Sequence, residues 1–302
     1  MTPAPIVLFI YNRPTHTRRT VEALRKNALA KESELIVYSD APKSPKALWA
    51  VREVREYIRT ITGFKSIRID ERDRNWGLAN SIINGVTTVV NQYGRVIVLE
   101  DDLITSPHFL EYMNAALDHY ESDPKAFSIG AYNFPAKTMA IPREYQWDTY
   151  ASVRCCSWGW ATWIDRWKRV DWSMDYYETF IRDQAAQVLF NKGGPDMTQM
   201  LKMQHERRID SWAIRFCYAH HASNMHCIYP AKTLVKNIGL DSSGMHCGVD
   251  PRREHESFDE QWVPRDFCPA DNIDERIARR FYDAFVTPKP SLVSRILRRL
   301  AT

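Results

Sequence analysis

The sequence predicts an α/β fold, a mostly parallel central sheet flanked by helices, and two observations carry that expectation. Through the first half, short apolar runs rich in Val, Ile and Leu alternate with stretches whose apolar residues recur at helical spacing. In addition, one apolar run, "VIVLEDDL" at 96–103, passes straight into three carboxylates, Glu100, Asp101 and Asp102. Open α/β sheets bind their ligands at such carboxyl ends of strands.

The elements follow in order. "IVLFIY" reads as a strand and is followed by a helix through Val21 and Leu24, then "ELIVYSD" as a second strand. A helix carrying Leu48, Val51, Val54, Tyr57, Ile58 and Ile61 leads to "SIRIDE", and one with Ile82, Ile83, Val86, Val89 and Val90 on one face leads to "RVIVLED". Ser106 and Pro107 supply an N-cap and a first-turn proline for a helix through Phe109, Met113, Leu117 and Tyr120. From about Tyr132 the texture changes to prolines, aromatics and short elements, an irregular lobe continuing the same sheet. Trp163, Trp167 and Trp172 are spaced like a helix packing on that sheet. "NKGGPDMTQ", 191–199, predicts a mobile loop.

Length and composition bound the rest. At 302 residues and 44% hydrophobic content the chain fills a sizeable core, and a net charge of +4 makes no case for nucleic acid as partner. The six cysteines form no CxxC pair and read as free thiols. There is no apolar run of about 18 residues and no signal-peptide pattern near the N-terminus, so a cytosolic location is expected. Residues 289–302 have the pattern of a short basic amphipathic helix, which either docks on the body or lies on an anionic membrane at the inner face of the cytoplasmic membrane.

Three adjacent carboxylates at a strand end repel one another and lose solvation, and a divalent cation answers both problems. Strand alternation predicts that Glu100 and Asp102 point one way and Asp101 the other, so that some reach a metal while another takes a ribose or sugar hydroxyl. Oxygen donors suit Mg²⁺ or Mn²⁺, which keep open positions for diphosphate oxygens. Neither GxGxxG nor GxxxxGK[ST] occurs, which counts against a dinucleotide-binding dehydrogenase and a P-loop enzyme. The first strand ends in "YNRP", placing Asn12 and Arg13 where a nucleotide would meet the sheet edge; the second ends in "YSDAP", with Asp40 as an acceptor for a base imide. Both segments also make ordinary turns. In Trp158-Gly159-Trp160, flat apolar faces flank a glycine that permits close approach of a sugar ring, with one of the two tryptophans expected in the core.

The order of "VLFIYNRP", "VYSDAPK", "NWGLANSIINGV", "VIVLEDDLITSPHFLEYM", "AFSIGAYN", "SWGWATW", "DSWAIRF" and "IYPAKTLVKNIG", over roughly residues 5–246, resembles the GT-A nucleotide-sugar glycosyltransferases, above all the inverting β-N-acetylglucosaminyltransferase I group and its bacterial relatives. The resemblance implies a GT-A (Rossmann-like nucleotide-diphospho-sugar transferase) fold, with a catalytic domain over 1–250 and an extension over 251–302. The nucleotide-binding half would cover about 1–105 and the acceptor-side half about 106–250. It implies Asp102 on the metal, Asp101 on the ribose, Glu100 on donor sugar hydroxyls, Asp40 on the uracil, Arg13 near the nucleotide, and Asp210 as the base that deprotonates the acceptor. His246, with His205, His220, His221 and His226 also present, would complete the metal shell; Asn75, Trp76 and Gly77 match the family's stretch before the third helix, with Arg74 as a phosphate partner; Asn237 would meet the diphosphate or its covering loop, which Lys236 either joins or leaves as a solvated surface lysine; and Trp158, Gly159 and Trp160 would face the sugars. Here Ile209 precedes Asp210 where the family carries a second acid, and Asp210 also suits the start of a helix at Ser211 and Trp212. The implied activity is metal-dependent transfer, with inversion, from a UDP-sugar to a saccharide or lipid-linked saccharide in bacterial surface polysaccharide synthesis. The competing readings are a sugar-1-phosphate nucleotidyltransferase, whose glycine-rich loop "YNRPTHTRR" lacks, and a non-catalytic carbohydrate-binding protein.

Overall fold

The computed structural model describes residues 2–241 and 258–286. Its first half alternates strands and helices: β1 (Ile6–Ile10), α1 (Pro14–Arg25), β2 (Glu34–Ser39), α2 (Leu48–Ile58), β3 (Ser66–Glu71), α3 (Leu78–Tyr93) and β4 (Arg95–Glu100). The second half is made of shorter pieces: β5 (Leu103–Thr105), α4 (Phe109–His119), β6 (Ala126–Gly130), β7 (Thr149–Ser152), β8 (Trp160–Trp163), α5 (Ile164–Trp167), α6 (Tyr177–Phe180), α7 (Gln184–Phe190), α8 (Met197–His205), α9 (Trp212–Ala222), β9 (His226–Pro230), β10 (Val235–Asn237) and α10 (Glu275–Ala284).

Among the described residues the main sheet has eight strands in the order β3-β2-β1-β4-β8-β6-β9-β7. The β3, β2, β1 and β4 pairings are parallel, as is β6 with β9, whereas β8 runs antiparallel to both β4 and β6, and β7 antiparallel to β9. The second half thus extends the sheet begun by the first. Short antiparallel β5 and β10 form a separate ribbon.

Helices cover both faces, which is why the central strands read as unbroken apolar runs instead of alternating ones. Along β1, Ile6, Leu8 and Ile10 pack with Val21 and Leu24 of α1, Val54 of α2, Met113 and Leu117 of α4 and Ile277 of α10. Val7 and Phe9 face the other way, toward Ile82, Val86 and Val89 of α3 and Phe216 of α9. The tryptophan-rich stretch supplies this second core. Trp160 lies with its ring centroid 4.9 Å from Trp212, 5.9 Å from Trp167 and 5.1 Å from Phe216. Trp163 sits on β8 and Trp167 on the four-residue α5, so core placement holds for both, while the single helix expected through Trp163, Trp167 and Trp172 is a strand followed by a short turn of helix.

Three local expectations change. Residues 191–199, expected as a mobile loop, pack as a 3₁₀ turn at Asn191–Gly193 leading into α8, and the Arg154 guanidinium forks onto Asp196 at 2.7 and 3.0 Å. Helix α4 begins at Phe109: Ser106 starts the turn by accepting the His108 N–H on its hydroxyl, 3.2 Å away, but it is not the N-cap. Leu48, counted on the apolar face of α2, points to solvent. The five described cysteines are free and buried, with Cys155 Sγ 3.1 Å from Cys217 Sγ.

Helix α3 can lie close to β1 and β2 because residue 85 lacks a side chain. A Cβ at Gly85 would sit 2.8 Å from two Phe9 ring atoms and 2.9 Å from the Tyr38 ring. Gly85→Val is expected to destabilise the fold by about 2 kcal/mol through overpacking, seen as a lower urea midpoint at unchanged slope. An unchanged midpoint would show that α3 does not need this close approach.

Candidate active site

The site is built where β4 and β1 end side by side. Register pairs Phe9 of β1 with Glu100 of β4. Pro14 at the first position of α1 sets where that helix begins, leaving Arg13 at the junction with its guanidinium free to turn toward the neighbouring strand end. Arg13 Nη2 bonds Asp101 Oδ1 in a short ion pair and lies 3.0 Å from Asp102 Oδ2. Asp101 Oδ2 also accepts the Tyr11 N–H at 3.3 Å, and the Asp101 carbonyl accepts the Thr20 hydroxyl at 2.9 Å. Both acids are buried, Asp101 at 4% exposure and Asp102 at 6%.

This overturns the expected alternation of the three acids. Strand β4 stops at Glu100, residues 101 and 102 form a turn, and the turn brings both aspartates onto the same guanidinium. Burial, and then the charges of Asp102 and Asp101, push the Glu100 carboxyl up to about 8, although its surface is only partly covered. Burial also raises Asp101 in spite of Arg13. Burial opposes the charge on Arg13, yet the two aspartates outweigh it and hold the guanidinium firmly protonated. Three acids against one guanidinium leave the site short of positive charge.

A strap closes the other side. Strand β10 pairs with β5, matching Asn237 to Leu103, and the chain then runs across Asp102, whose carbonyl accepts the Ile238 N–H at 2.8 Å. Asn237 shapes the turn by accepting the Gly239 N–H at 2.7 Å. A Cβ at Gly239 would overlap Asp102 Oδ2 and come within 2.7 Å of Arg13 Nη1. His16 Nε2 lies 3.2 Å from both the Ile238 carbonyl and Asp241. Gly239 and His16 are the residues that sequence reasoning missed. The signal for Gly239 was "KNIG", a glycine directly after a strand.

Asp40, at the end of β2, organises a second turn. Its Oδ1 accepts the N–H groups of Ala41 and Trp76, each at 2.9 Å. Its Oδ2 accepts the Gly77 N–H at 2.9 Å and the Asn75 side-chain amide at 3.0 Å. Asp40 and Asn75 are therefore spent on fixing residues 75–77, and Gly77, at φ +75°, opens α3. As an acceptor for a base imide Asp40 has no free oxygen in this arrangement, because a carboxylate receiving four donors is saturated. Asp210 stands across that turn: a Cβ at Gly77 would lie 3.9 Å from Asp210 Oδ2. It does not cap α9, since Ser211 accepts the Ile214 N–H. Its side chain is 60% exposed, with Arg215 3.9 Å away. Arg74 faces a groove of about 650 Å³ shared with Asn75, Trp76, Asn80 and Asn84, its guanidinium 6.0 Å from the Trp76 ring centroid.

The remaining residues divide. Asn12 lies beside Arg13, partly buried. Trp160, expected at a sugar, is 1% exposed and sealed in the aromatic core, so it meets no ligand. Gly159, at φ +65°, is wedged against Phe109, Val235 and Ala131, and only Trp158 retains an accessible face, its ring centroid 4.6 Å from that of Tyr132. Lys236 is half-buried on β10. His246 and the tail 289–302 lie outside the described residues.

The site suits a divalent ion. Its excess of buried carboxylate over guanidinium charge and its hard oxygen donors fit Mg²⁺ or Mn²⁺. Among the described residues there is no group of three or more metal-ligating side chains, so these residues offer Asp102, with Asp101 or Glu100 close by, and leave the other positions to water and ligand oxygens.

A doubly covered α/β sheet with buried acids at its carboxyl edge puts the site where open α/β sheets bind their ligands. Residues 1–198 match the model of the GNT-I family. The chain belongs to that family and is a glycosyltransferase. Among solved structures it is similar to the mannosyltransferase PcManGT from Pyrobaculum calidifontis in complex with GDP-Man and Mn²⁺, at 14% identity, 74% of this chain, 75% of that one and a TM-score of 0.38. It is also similar to S. aureus TarS, at 14% identity, 48% of this chain, 24% of that one and a TM-score of 0.32. No curated protein sequence matches the chain significantly.

Asp40→Asn turns an amide N–H₂ toward backbone donors. Removing that acceptor is expected to loosen residues 75–77, costing about 2 kcal/mol and speeding hydrogen exchange at the Trp76 and Gly77 amides at least tenfold. Unaltered exchange there would contradict the organising role.

Proposed function

We propose that this glycosyltransferase moves a sugar from a UDP-sugar to a saccharide or lipid-linked saccharide acceptor, in the synthesis of a bacterial surface polysaccharide, with inversion and with a divalent ion. The observation that carries the reading is the buried Asp101–Asp102 pair, clamped by Arg13 at the carboxyl edge of the sheet under the Gly239 strap. Buried carboxylates held with so little compensation are an arrangement for receiving positive charge, not for supporting a fold.

Asp102 would hold the ion, with its remaining shell drawn from water, donor phosphate oxygens and His246. When bound, the ion supplies charge stabilisation for a departing diphosphate. Asp101 is set to take a ribose hydroxyl. Glu100, whose carboxyl is raised by burial and by its acidic neighbours, would contact the donor sugar hydroxyls. The side chain of Asp210 is open to solvent across the Gly77 turn, with room for an acceptor hydroxyl. As the acceptor oxygen bonds to C1 of the donor, its proton passes to an Asp210 oxygen, and the C1–O bond breaks with its electron pair leaving on the diphosphate. A single carboxylate on the side opposite the leaving group gives inversion. Trp158 offers one apolar face to a sugar ring.

No helix among the described residues is long and apolar enough to cross a membrane. Contact of the basic tail with an anionic membrane surface is part of the same reading and rests on its residue pattern alone.

Asp210→Asn keeps size and polarity and removes the base. Its kcat for transfer from the UDP-sugar is expected to fall by about 10²–10⁴, with the nucleotide Kd within about twofold of wild type. Transfer at near wild-type rate would remove Asp210 from the chemistry.

A further inference from the structure

The acidic pair already carries a cation, and that cation is part of the chain. Arg13 Nη2 contacts Asp101 Oδ1 and Asp102 Oδ2 at once. It therefore fills the space between the two carboxylates from the β1 side, while the Gly239 backbone walls Asp102 Oδ2 from the other. No other guanidinium or ammonium among the described residues pairs with either acid. Arg13 is fixed from its own backbone as well, its carbonyl accepting both the N–H and the hydroxyl of Thr17 at 2.9 Å.

We propose that Arg13 is the resident counter-cation of this site, that a divalent ion reaches Asp102 by displacing it, and that the displaced guanidinium is what meets the donor diphosphate. The inference rests on the metal-dependent reading above. An ion on Asp102 Oδ2 would meet the Arg13 guanidinium at the same oxygen, where the two positive charges repel. A guanidinium moved off both carboxylates in a largely buried site is an unpaired charge unless an anion takes their place. Ion and diphosphate therefore favour each other's binding: the ion frees Arg13 for the phosphates, and the phosphates take up the Arg13 that the ion has freed. Such reciprocity is a coupling between two ligands that runs through one side chain. It keeps the site from loading with metal alone and holds the two aspartates in position while no donor is bound.

The test measures Mn²⁺ binding by electron paramagnetic resonance, without nucleotide and then with UDP or GDP, on wild type, Arg13→Gln, Arg13→Lys and the double variant Arg13→Gln with Asp102→Ala. Wild type is expected to bind Mn²⁺ weakly alone and more tightly with a nucleoside diphosphate. Arg13→Gln should bind Mn²⁺ alone at least tenfold more tightly than wild type and gain less from the nucleotide. Arg13→Lys, whose compact ammonium does not fork between two carboxylates, should fall between them, and the double variant should lose the tight site. Thermal unfolding gives a second readout: Mn²⁺ should raise the melting temperature of Arg13→Gln more than that of wild type, and Arg13→Lys supplies the comparison if the glutamine variant does not fold. If wild type binds Mn²⁺ with nucleotide while the Arg13 variants bind Mn²⁺ alone no more tightly than wild type, the displacement is wrong and the metal reading stands. If no form binds Mn²⁺ even with nucleotide, the metal reading fails and takes this inference with it.

Discussion

Negative charge delivered into a desolvated place governs this molecule. Strand β4 is covered on both faces, so the carboxylates at its end inherit the burial of the strand. Left alone they would repel one another and lose water, and the elements around them address that cost. Strand β1 ends beside β4 so that Arg13 can reach across, and α1 begins at once, so that Thr20 ties the Asp101 carbonyl. The β5–β10 ribbon then lays the Ile238–Gly239 strap over Asp102. Arg13 offsets only part of the charge: burial, and then the charges of Asp102 and Asp101, still raise the Glu100 carboxyl. A ligand-free state left with such a deficit is poised for a cation.

A second constraint sets the opposite wall. Asp40 spends all its acceptor capacity on residues 41 and 75–77, and this turn carries Gly77 up to Asp210. The acids differ in exposure: Asp101 and Asp102 are buried at the end of β4, while the Asp210 side chain is open to solvent. The same geometry disfavours the nucleotidyltransferase alternative, because the β1–α1 connection is only residues 11–13 and α1 opens on a proline, leaving little backbone N–H to cradle a triphosphate.

The first half of the fold was legible because both of its periodicities are strong. Ile6 to Ile10, Leu35 to Ser39 and Val96 to Leu99 run unbroken, as strands buried on both faces must, and Val51, Val54 and Ile58 keep helical spacing. The carboxylates were legible as a ligand site, but their orientation was not: alternation holds only while a strand lasts, and here the strand stops one residue into the triplet. The second half hid its architecture. Strands β7 and β8 are four residues each, too short for a period to register, and of the tryptophans that looked like a sugar platform or a helix, Trp160 and Trp163 lie on β8 and Trp167 on α5, with Trp212 of α9 stacked on Trp160. Asp40 was read as a free acceptor because a sequence shows a side chain and not the three donors of residues 75–77 that long-range folding adds to the Ala41 N–H. Gly239 escaped for the same reason, since its importance is a contact with a residue 137 positions earlier.

The most direct measurement is calorimetric titration of the full chain with UDP, GDP, CDP and dTDP, each with Mn²⁺ and with chelator, repeated on Asp102→Ala. The account predicts metal-dependent binding of UDP in preference to the others, with the metal dependence lost in the variant while the protein stays folded. Failure of every nucleotide to bind under any condition, or binding indifferent to both Mn²⁺ and Asp102, would contradict it.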